Sequence, residues 1–468
     1  RIAADMARRL QARLRPGQPT LFPYETPEAA WLEHRESTRG RDLDITGLTY
    51  AALEAAPSQW PFPEGASGGR LRLYEDGVFP TPDGRARFAD VAWEPVAEPR
   101  EPHYPFALTT GRLRDQWHGM SRTGTLGRLF GHVPEPVVQL HPQDLARRGL
   151  AEGELVRVSS RRGAVVVPVQ ASADLGLGQA FMAMHWGSES LSGRDAAGQP
   201  LAGVNALTSP AFCPRSKQPE LKHAAVRVDR VDLPWGLVAM AWLPGERALS
   251  VLEQLRALMP RFDFATCVPF GQARSGVLLR AASAEAADAA LVDEIEALLG
   301  LRDAPGDAAE DALAPSHPAP LRYADARRHQ RRVMRLVPGS DGNTGERGDA
   351  RLEAFLLAGD VRSQGWIRAL LQEELPAQAF GRQLLSPGGQ APAVLVPRGA
   401  QVCACFNVGE AAIAGHLAAC AGDDAGRLAS LQDTLKCGTN CGSCLPQLKR
   451  LVREHPAATP AAPAAAGA

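Results

Sequence analysis

The sequence predicts a multidomain α+β protein: a small β-barrel, then a small α+β middle unit, then a small helical domain rich in cysteine. Three observations carry this expectation. A length of 468 residues suggests roughly three domains. Short apolar runs rich in valine recur at close spacing between Phe106 and Met184, and helical periodicity takes over after Ala248. Six of the eight cysteines fall within residues 403–444.

The chain opens RIAADMARRLQARL, where Ile2, Met6 and Leu10 recur at helical spacing, as in an amphipathic helix entered part-way. No initiator Met and no apolar signal region precede it, so the sequence is expected to be a piece of a longer protein. Residues 1–100 are broken by turns such as Trp60-Pro61-Phe62-Pro63 and Thr81-Pro82-Asp83-Gly84. They predict the tail of a preceding domain and a connector, without a core of their own.

Residues 101–230 predict the barrel. Strands are expected at Phe106–Gly111, Pro136–Leu140, Glu154–Val158, Ala164–Val169 and Gln179–Met184, with a hairpin turn over Ser159–Gly163 and a short helix from His141 ended at Gly149. Residues 231–301 predict the α+β unit: a strand at Gly236–Leu243, a helix at Ala248–Met259, a strand at Ser275–Arg280 and a helix at Ala284–Leu299. Residues 302–320 read as a linker, and 321–398 as a hairpin with a long loop followed by a helix near Trp366. The cysteine domain spans 399–456, and the Ala/Pro tail, 457–468, is expected to be disordered.

Composition narrows the function. Lys+Arg 51 against Asp+Glu 52 excludes a nucleic-acid coat or a polybasic membrane surface, so any basic site must be local. No apolar run is long enough to span a membrane. Cysteines clustered with short spacers suggest a metal site in a reducing compartment, hence the cytoplasm.

The cysteine pattern is Cys403-Ala404-Cys405, then Cys441-Gly442-Ser443-Cys444. Thiolates are the ligands that iron–sulfur chemistry requires, and two close pairs suit a cluster in which each iron takes two protein sulfurs. A zinc ribbon is the alternative, although it usually uses two C-x-x-C knuckles. Gly438 and Gly442 allow backbone N–H groups to approach the sulfurs.

Val402-Cys403-Ala404-Cys405-Phe406-Asn407-Val408 together with Gly438-Thr439-Asn440-Cys441-Gly442-Ser443-Cys444 resembles the bacterioferritin-associated-ferredoxin-like domain. The resemblance implies a 2Fe–2S cluster on Cys403, Cys405, Cys441 and Cys444. Cys420 lies outside that pattern, as does Cys437, which is close enough to substitute. Upstream, Leu108-Thr109-Thr110-Gly111-Arg112, Gln116-Trp117-His118-Gly119 and Val204-Asn205-Ala206-Leu207-Thr208 resemble the molybdopterin-dinucleotide-binding domain of molybdenum oxidoreductases, a double-psi β-barrel. So does Ser216-Lys217-Gln218-Pro219-Glu220-Leu221-Lys222.

This resemblance implies that Thr110, Gly111, Arg112, His118, Asn205, Lys217 and Lys222 contact the cofactor, and that His185 and Trp186 sit near substrate. For that last pair, core packing is the competing expectation. Arg41-Asp42-Leu43-Asp44-Ile45-Thr46-Gly47 and the 321–398 segment are similar to stretches of assimilatory nitrate reductases and of nitrite reductases, respectively. The implied whole is part of an assimilatory nitrate reductase, using Mo-bis(molybdopterin guanine dinucleotide) to reduce nitrate. It would be fed by a ferredoxin, a flavodoxin or an NAD(P)H-linked reductase. A 4Fe–4S motif and the molybdenum ligand are expected only in a segment outside this sequence. A formate dehydrogenase or a non-catalytic electron-transfer protein are the rival expectations.

Overall fold

The computed structural model describes residues 2–194, 199–201, 203–220, 222–302, 319–340, 347–392 and 398–455. The expected linker, apart from its first and last residues, and the Ala/Pro tail lie outside these. Two compact units divide the chain, Arg1–Glu94 and Pro95–Ala468.

The first unit holds helices α1 (Ile2–Leu14), α2 (Pro27–Glu36) and α3 (Tyr50–Ala55). Thr26 and Thr49 cap α2 and α3, each hydroxyl accepting a backbone N–H of the first turn. Among the described residues, Leu48 is the only large hydrophobic side chain buried in this unit, while Ile2, Met6 and Leu10 stay exposed. The periodicity of α1 formed a helix, but its apolar face finds no core within the unit.

The second unit starts with a closed barrel of six strands. They are β1 (Phe106–Gly111), β2 (Val138–Leu140), β3 (Leu155–Ser159), β4 (Ala164–Ala171), β5 (Gln179–Ala183) and, after the short β6 (Leu191–Gly193), β7 (Ala224–Arg230). The barrel order is β1-β5-β2-β4-β3-β7, with β1/β5 and β2/β4 parallel and the remaining pairs antiparallel. Helix α4 (Pro142–Arg147) begins where expected: the His141 ring accepts the Gln143 N–H at 3.1 Å, and Pro142 opens the first turn. Pro168 sits inside β4 at the register just before pairing with β2 begins at Val169, so its missing N–H breaks no bond on that side.

Next comes a seven-stranded sheet. Its strands are β6, β8 (Trp235–Leu243), β9 (Phe264–Phe270), β10 (Ser275–Ser283), β11 (Leu321–Asp325), β12 (Gln330–Ser340) and β13 (Arg347–Gly359), in the order β11-β12-β13-β8-β10-β9-β6. Helices α5 (Gly245–Leu258) and α6 (Ala289–Leu298) pack on one face, α7 (Gln364–Gln372) on the other, and the short α8 (Gly381–Leu385) follows.

The central strand β8 shows why both faces are covered. Leu237, Ala239 and Ala241 face Val251, Leu255 and Ile295, while Val238, Met240 and Trp242 face Ile367, Leu370 and the barrel core. Alternation along one strand thus feeds two cores. This corrects an expectation: residues 231–301 and 321–398 are not separate units. β8 pairs with β10 on one side and with β13 on the other, Ala354 opposite Ala241. Each segment alone would leave a strand edge open, and a pairing across so long a connection leaves no local trace in the pattern.

The cysteine domain contains a two-stranded sheet, β14 (Gln401–Cys403) and β15 (Val408–Gly409), and helices α9 (Glu410–Ala418), α10 (Asp424–Leu435) and α11 (Leu445–Glu454). Val402, Ile413, Leu417, Leu431 and Leu448 form its small core.

Barrel and sheet are joined by charge as well as by packing. Glu135 is buried and accepts from Arg280 on β10 at 2.7 Å and from Arg368 on α7 at 3.1 Å. Burial pushes its pKa up, but the two guanidinium groups outweigh that and hold it below the ordinary carboxylate value. Glu135→Ala strands two partly buried cations, so it should cost about 3 kcal/mol of stability, measured by urea unfolding, whereas Glu94→Ala should cost nothing measurable.

Candidate functional site

Two groups of residues carry the expected chemistry. The first lies where strands leave the barrel. Thr110 is buried in β1, and Gly111 ends that strand beside the Phe181 ring, where a Cβ would lie only 2.7 Å from a ring carbon. The chain then turns outward. Arg112 is exposed and lies 5.8 Å from the Trp117 ring centroid, with Arg122 at 5.9 Å from the same ring. Both cations therefore gather at one aromatic ring.

His185 fixes this loop. Its Nε2 accepts the Leu113 N–H at 2.9 Å, and Nδ1 faces the backbone carbonyl of His118, whose φ is 43°. That network assigns the proton to Nδ1 and keeps the ring neutral. Burial, aided by Arg112 and His118, holds its pKa below the usual histidine value. Trp186 follows, 1% exposed and packed against Phe130, and its carbonyl accepts the Val204 N–H at 3.0 Å. The turn carrying Asn205 hangs from that bond. Adjacent residues at the end of β5 therefore hold both expected cofactor loops. Both ring nitrogens of His185 are taken by backbone and Trp186 is packed in the core, so the two residues hold these loops in position.

Asn205 is exposed, and its side-chain amide bonds to no described residue. Its turn is tied to the β3–β4 hairpin by Arg162, which donates to the Leu207 carbonyl at 3.1 Å and pairs with Glu98 at 2.5 Å. The Glu98 carbonyl meets His223, next to Lys222, at 2.9 Å. Arg162 and Glu98 thus bring the Asn205 and Lys222 segments together, and no sequence signal marked either of them. Lys217 is exposed with its ammonium 5.2 Å from the Phe212 ring centroid.

The second group is the cysteine centre. Cys403 ends β14 and Cys444 precedes α11; both are buried, and each lies close enough for its charge to be felt by the other. Cys405 and Cys441 are exposed, with sulfurs 3.3 Å apart. Each close contact therefore joins one motif to the other. Among the described residues no three His, Cys, Asp or Glu side chains gather for a single metal ion. The four thiols of the two motifs lie at one end of the domain, two buried and two exposed.

Asn407, Gly438 and Gly442 have φ of 55°, 82° and 73°, which turns the backbone around the sulfurs. The Asn407 carbonyl oxygen of the side chain accepts from Arg398 and from Gln401, both at 2.7 Å. The N-terminus of α11 favours negative charge at Cys444. Without a cation, burial and then Cys403 push the Cys444 thiol up to about 12, while the Ser443 hydroxyl lowers the Cys441 pKa. Cys437 is buried beside Cys403, with burial raising its pKa, and its sulfur rests 3.8 Å from the Leu431 carbonyl. Cys420 lies apart from the four.

Residues 106–225 match the family model described as "Molydopterin dinucleotide binding domain", and residues 401–454 match that of the "BFD-like [2Fe-2S] binding domain". These two stretches are similar to a molybdopterin-binding domain and to a BFD-like domain, respectively. It is 29% identical over 444 residues to a Klebsiella oxytoca protein named nitrate reductase, covering 92% of this chain and 44% of that protein. It is 34% identical over 244 residues to the assimilatory nitrate reductase of Haloferax mediterranei, covering 50% of this chain and 31% of the relative. It is also 31% identical over 210 residues to an F420-dependent formate dehydrogenase subunit alpha of Methanocaldococcus jannaschii, covering 45% and 28%. The chain thus spans less than half the length of these relatives. Among the described residues no helix is long and apolar enough to cross a membrane.

The barrel depends on His185 to shape the loop after β1. His185→Phe keeps a planar ring but leaves the Leu113 N–H unpaired, so Leu113 amide exchange should accelerate and stability should fall by about 1–3 kcal/mol. The depressed pKa of His185 adds a pH signature. The stability it contributes is present above the unfolded pKa near ~6.5 and is lost as pH falls through the lower folded value. Unfolding measured from pH 8 to pH 5 should show a shallower acid loss in the variant than in the wild type.

Proposed function

We propose that this chain is part of a molybdenum-dependent assimilatory nitrate reductase, acting in the cytoplasm. The breadth of the Klebsiella oxytoca match carries this reading: 92% of the chain is more than either domain alone can account for, whereas the formate dehydrogenase relative covers 45%. The reaction converts nitrate, two electrons and two protons to nitrite and water.

We infer that the barrel is of the double-psi type, supported by six strands with two parallel pairs. The cofactor is proposed in its guanine dinucleotide form. When bound, the molybdenum centre supplies two-electron oxygen-atom transfer. The residues of this chain hold it in place. Arg112, Lys217 and Lys222 neutralise pyrophosphate, Asn205 offers both donor and acceptor to a heterocycle edge, and Gly111 leaves room at the strand end. Thr110 and His118 lie on the same stretch, with His118 held through its carbonyl by His185.

Cys403, Cys405, Cys441 and Cys444 hold the 2Fe–2S cluster, which supplies one-electron chemistry. Its electrons come from a ferredoxin, a flavodoxin or an NAD(P)H-linked reductase.

Anaerobically purified full-length protein should oxidise reduced viologen on addition of nitrate and form one nitrite for every two viologens oxidised. Formate-dependent dye reduction without nitrate turnover would move the assignment to the rival molybdoenzyme. Cys441→Ala and Cys444→Ala should each abolish the 2Fe–2S absorption and EPR signal, while Cys420→Ala should retain two irons per chain.

A further inference from the structure

The loop that leaves β1 does not end at the cofactor side chains. Arg114 follows Leu113, the residue pinned by His185, and its guanidinium reaches the BFD-like domain. Its Nη2 donates to the Val402 carbonyl at 2.9 Å, and its Nη1 donates to the Gln447 side-chain carbonyl at 3.1 Å. Asp115 grips the same guanidinium through two contacts of 3.2 Å, with side-chain exposures of 16% for Arg114 and 9% for Asp115.

Val402 is fully buried and precedes Cys403, and Gln447 lies three residues after Cys444 on α11. The same face carries two more contacts. Gly131 lies so close to the Gln401 amide that a Cβ there would clash at 1.9 Å, and Arg450 on α11 approaches Asp174 at 3.7 Å. The cluster domain is therefore docked on the loop that carries Arg112 and His118.

We propose that Arg114 is a positioning residue: it locks the 2Fe–2S domain against the cofactor loop, and its fixed positive charge raises the reduction potential of the cluster. This rests on the four-cysteine cluster reading above. Hydrogen bonds and net charge around the sulfurs set the potential of such clusters, and a nearby cation favours the reduced, more negative form. Arginine suits the task because its fork serves Asp115, Val402 and Gln447 at once, which an ammonium group cannot.

The test uses full-length holoprotein and EPR-monitored redox titration of Arg114→Gln, Arg114→Lys and Gln447→Leu, with hydrogen exchange read over residues 401–403 and 445–450. Arg114→Gln should lower the cluster midpoint and speed exchange. Arg114→Lys should recover much of the midpoint but not the protection. Gln447→Leu should speed exchange with the midpoint held. Iron content should stay at the wild-type level in all three. A retained cluster whose midpoint and exchange do not move in Arg114→Gln overturns the proposal. If Arg114→Gln loses its cluster, Arg114→Met, which also removes the charge, takes its place with the same expected and overturning results. Wild-type protein with no 2Fe–2S signal at all removes the cluster reading itself, a separate failure.

Discussion

The seven residues after β1 are held at both ends, and much of the functional architecture depends on that. Near its two ends the buried His185 ring takes the Leu113 N–H and faces the His118 carbonyl. Between these points Arg114 is clamped by Asp115 against the cysteine domain. A surface loop with no regular hydrogen bonds of its own would sample many conformations. Here its backbone groups are satisfied from outside, so Arg112 emerges from a fixed base. His185 can serve because burial keeps it neutral, with one donor and one acceptor nitrogen matched to one carbonyl and one amide.

The anchor needs a rigid support, which comes from the way β8 is shared. Its alternate residues enter two cores, one under α5 and α6, the other continuous with the barrel and Trp186. The turn after β5 that carries His185 and Trp186 therefore rests against a core continuous with a sheet buried on both faces. Glu135, paired with Arg280 and Arg368, ties the barrel to that sheet at a point where an apolar contact would carry less geometric information.

Legibility in the sequence followed the range of the interaction. β1, α4, the β3–β4 hairpin and α7 were readable because strand alternation, a Pro at N1 and a polar turn are local signals. The four cysteines were readable because soft-ligand chemistry restricts residue type and spacing at once. The pairing of β8 with β13 was not, since the two strands are joined by a long connection and either could equally have met another edge. The double role of His185-Trp186 was hidden for a different reason: a His beside a Trp after a strand looks the same whether it faces substrate or core, and only the partners of the two ring nitrogens decide. Arg114, Arg162 and Glu98 lay in plain charged loops, where nothing in residue type distinguishes a docking arginine from a solvated one.

Net charge illustrates the same division between global and local. A chain of formal charge -1 has no overall field with which to draw in an anionic cofactor. Under the proposed reading, recognition of a pyrophosphate rests on local cations near the barrel held apart from carboxylates. Many arginines elsewhere are paired, as Arg161 is with Glu101, Arg230 with Glu154 and Arg331 with Asp293 and Glu296. Arg112 and Arg122 instead flank the Trp117 ring, and no salt bridge to a described residue is formed by Arg112, Lys217 or Lys222. An aromatic face orients a guanidinium without cancelling its charge. The barrel mouth thus keeps its cations available for an anion, while the rest of the surface spends its own on holding loops and helices in place.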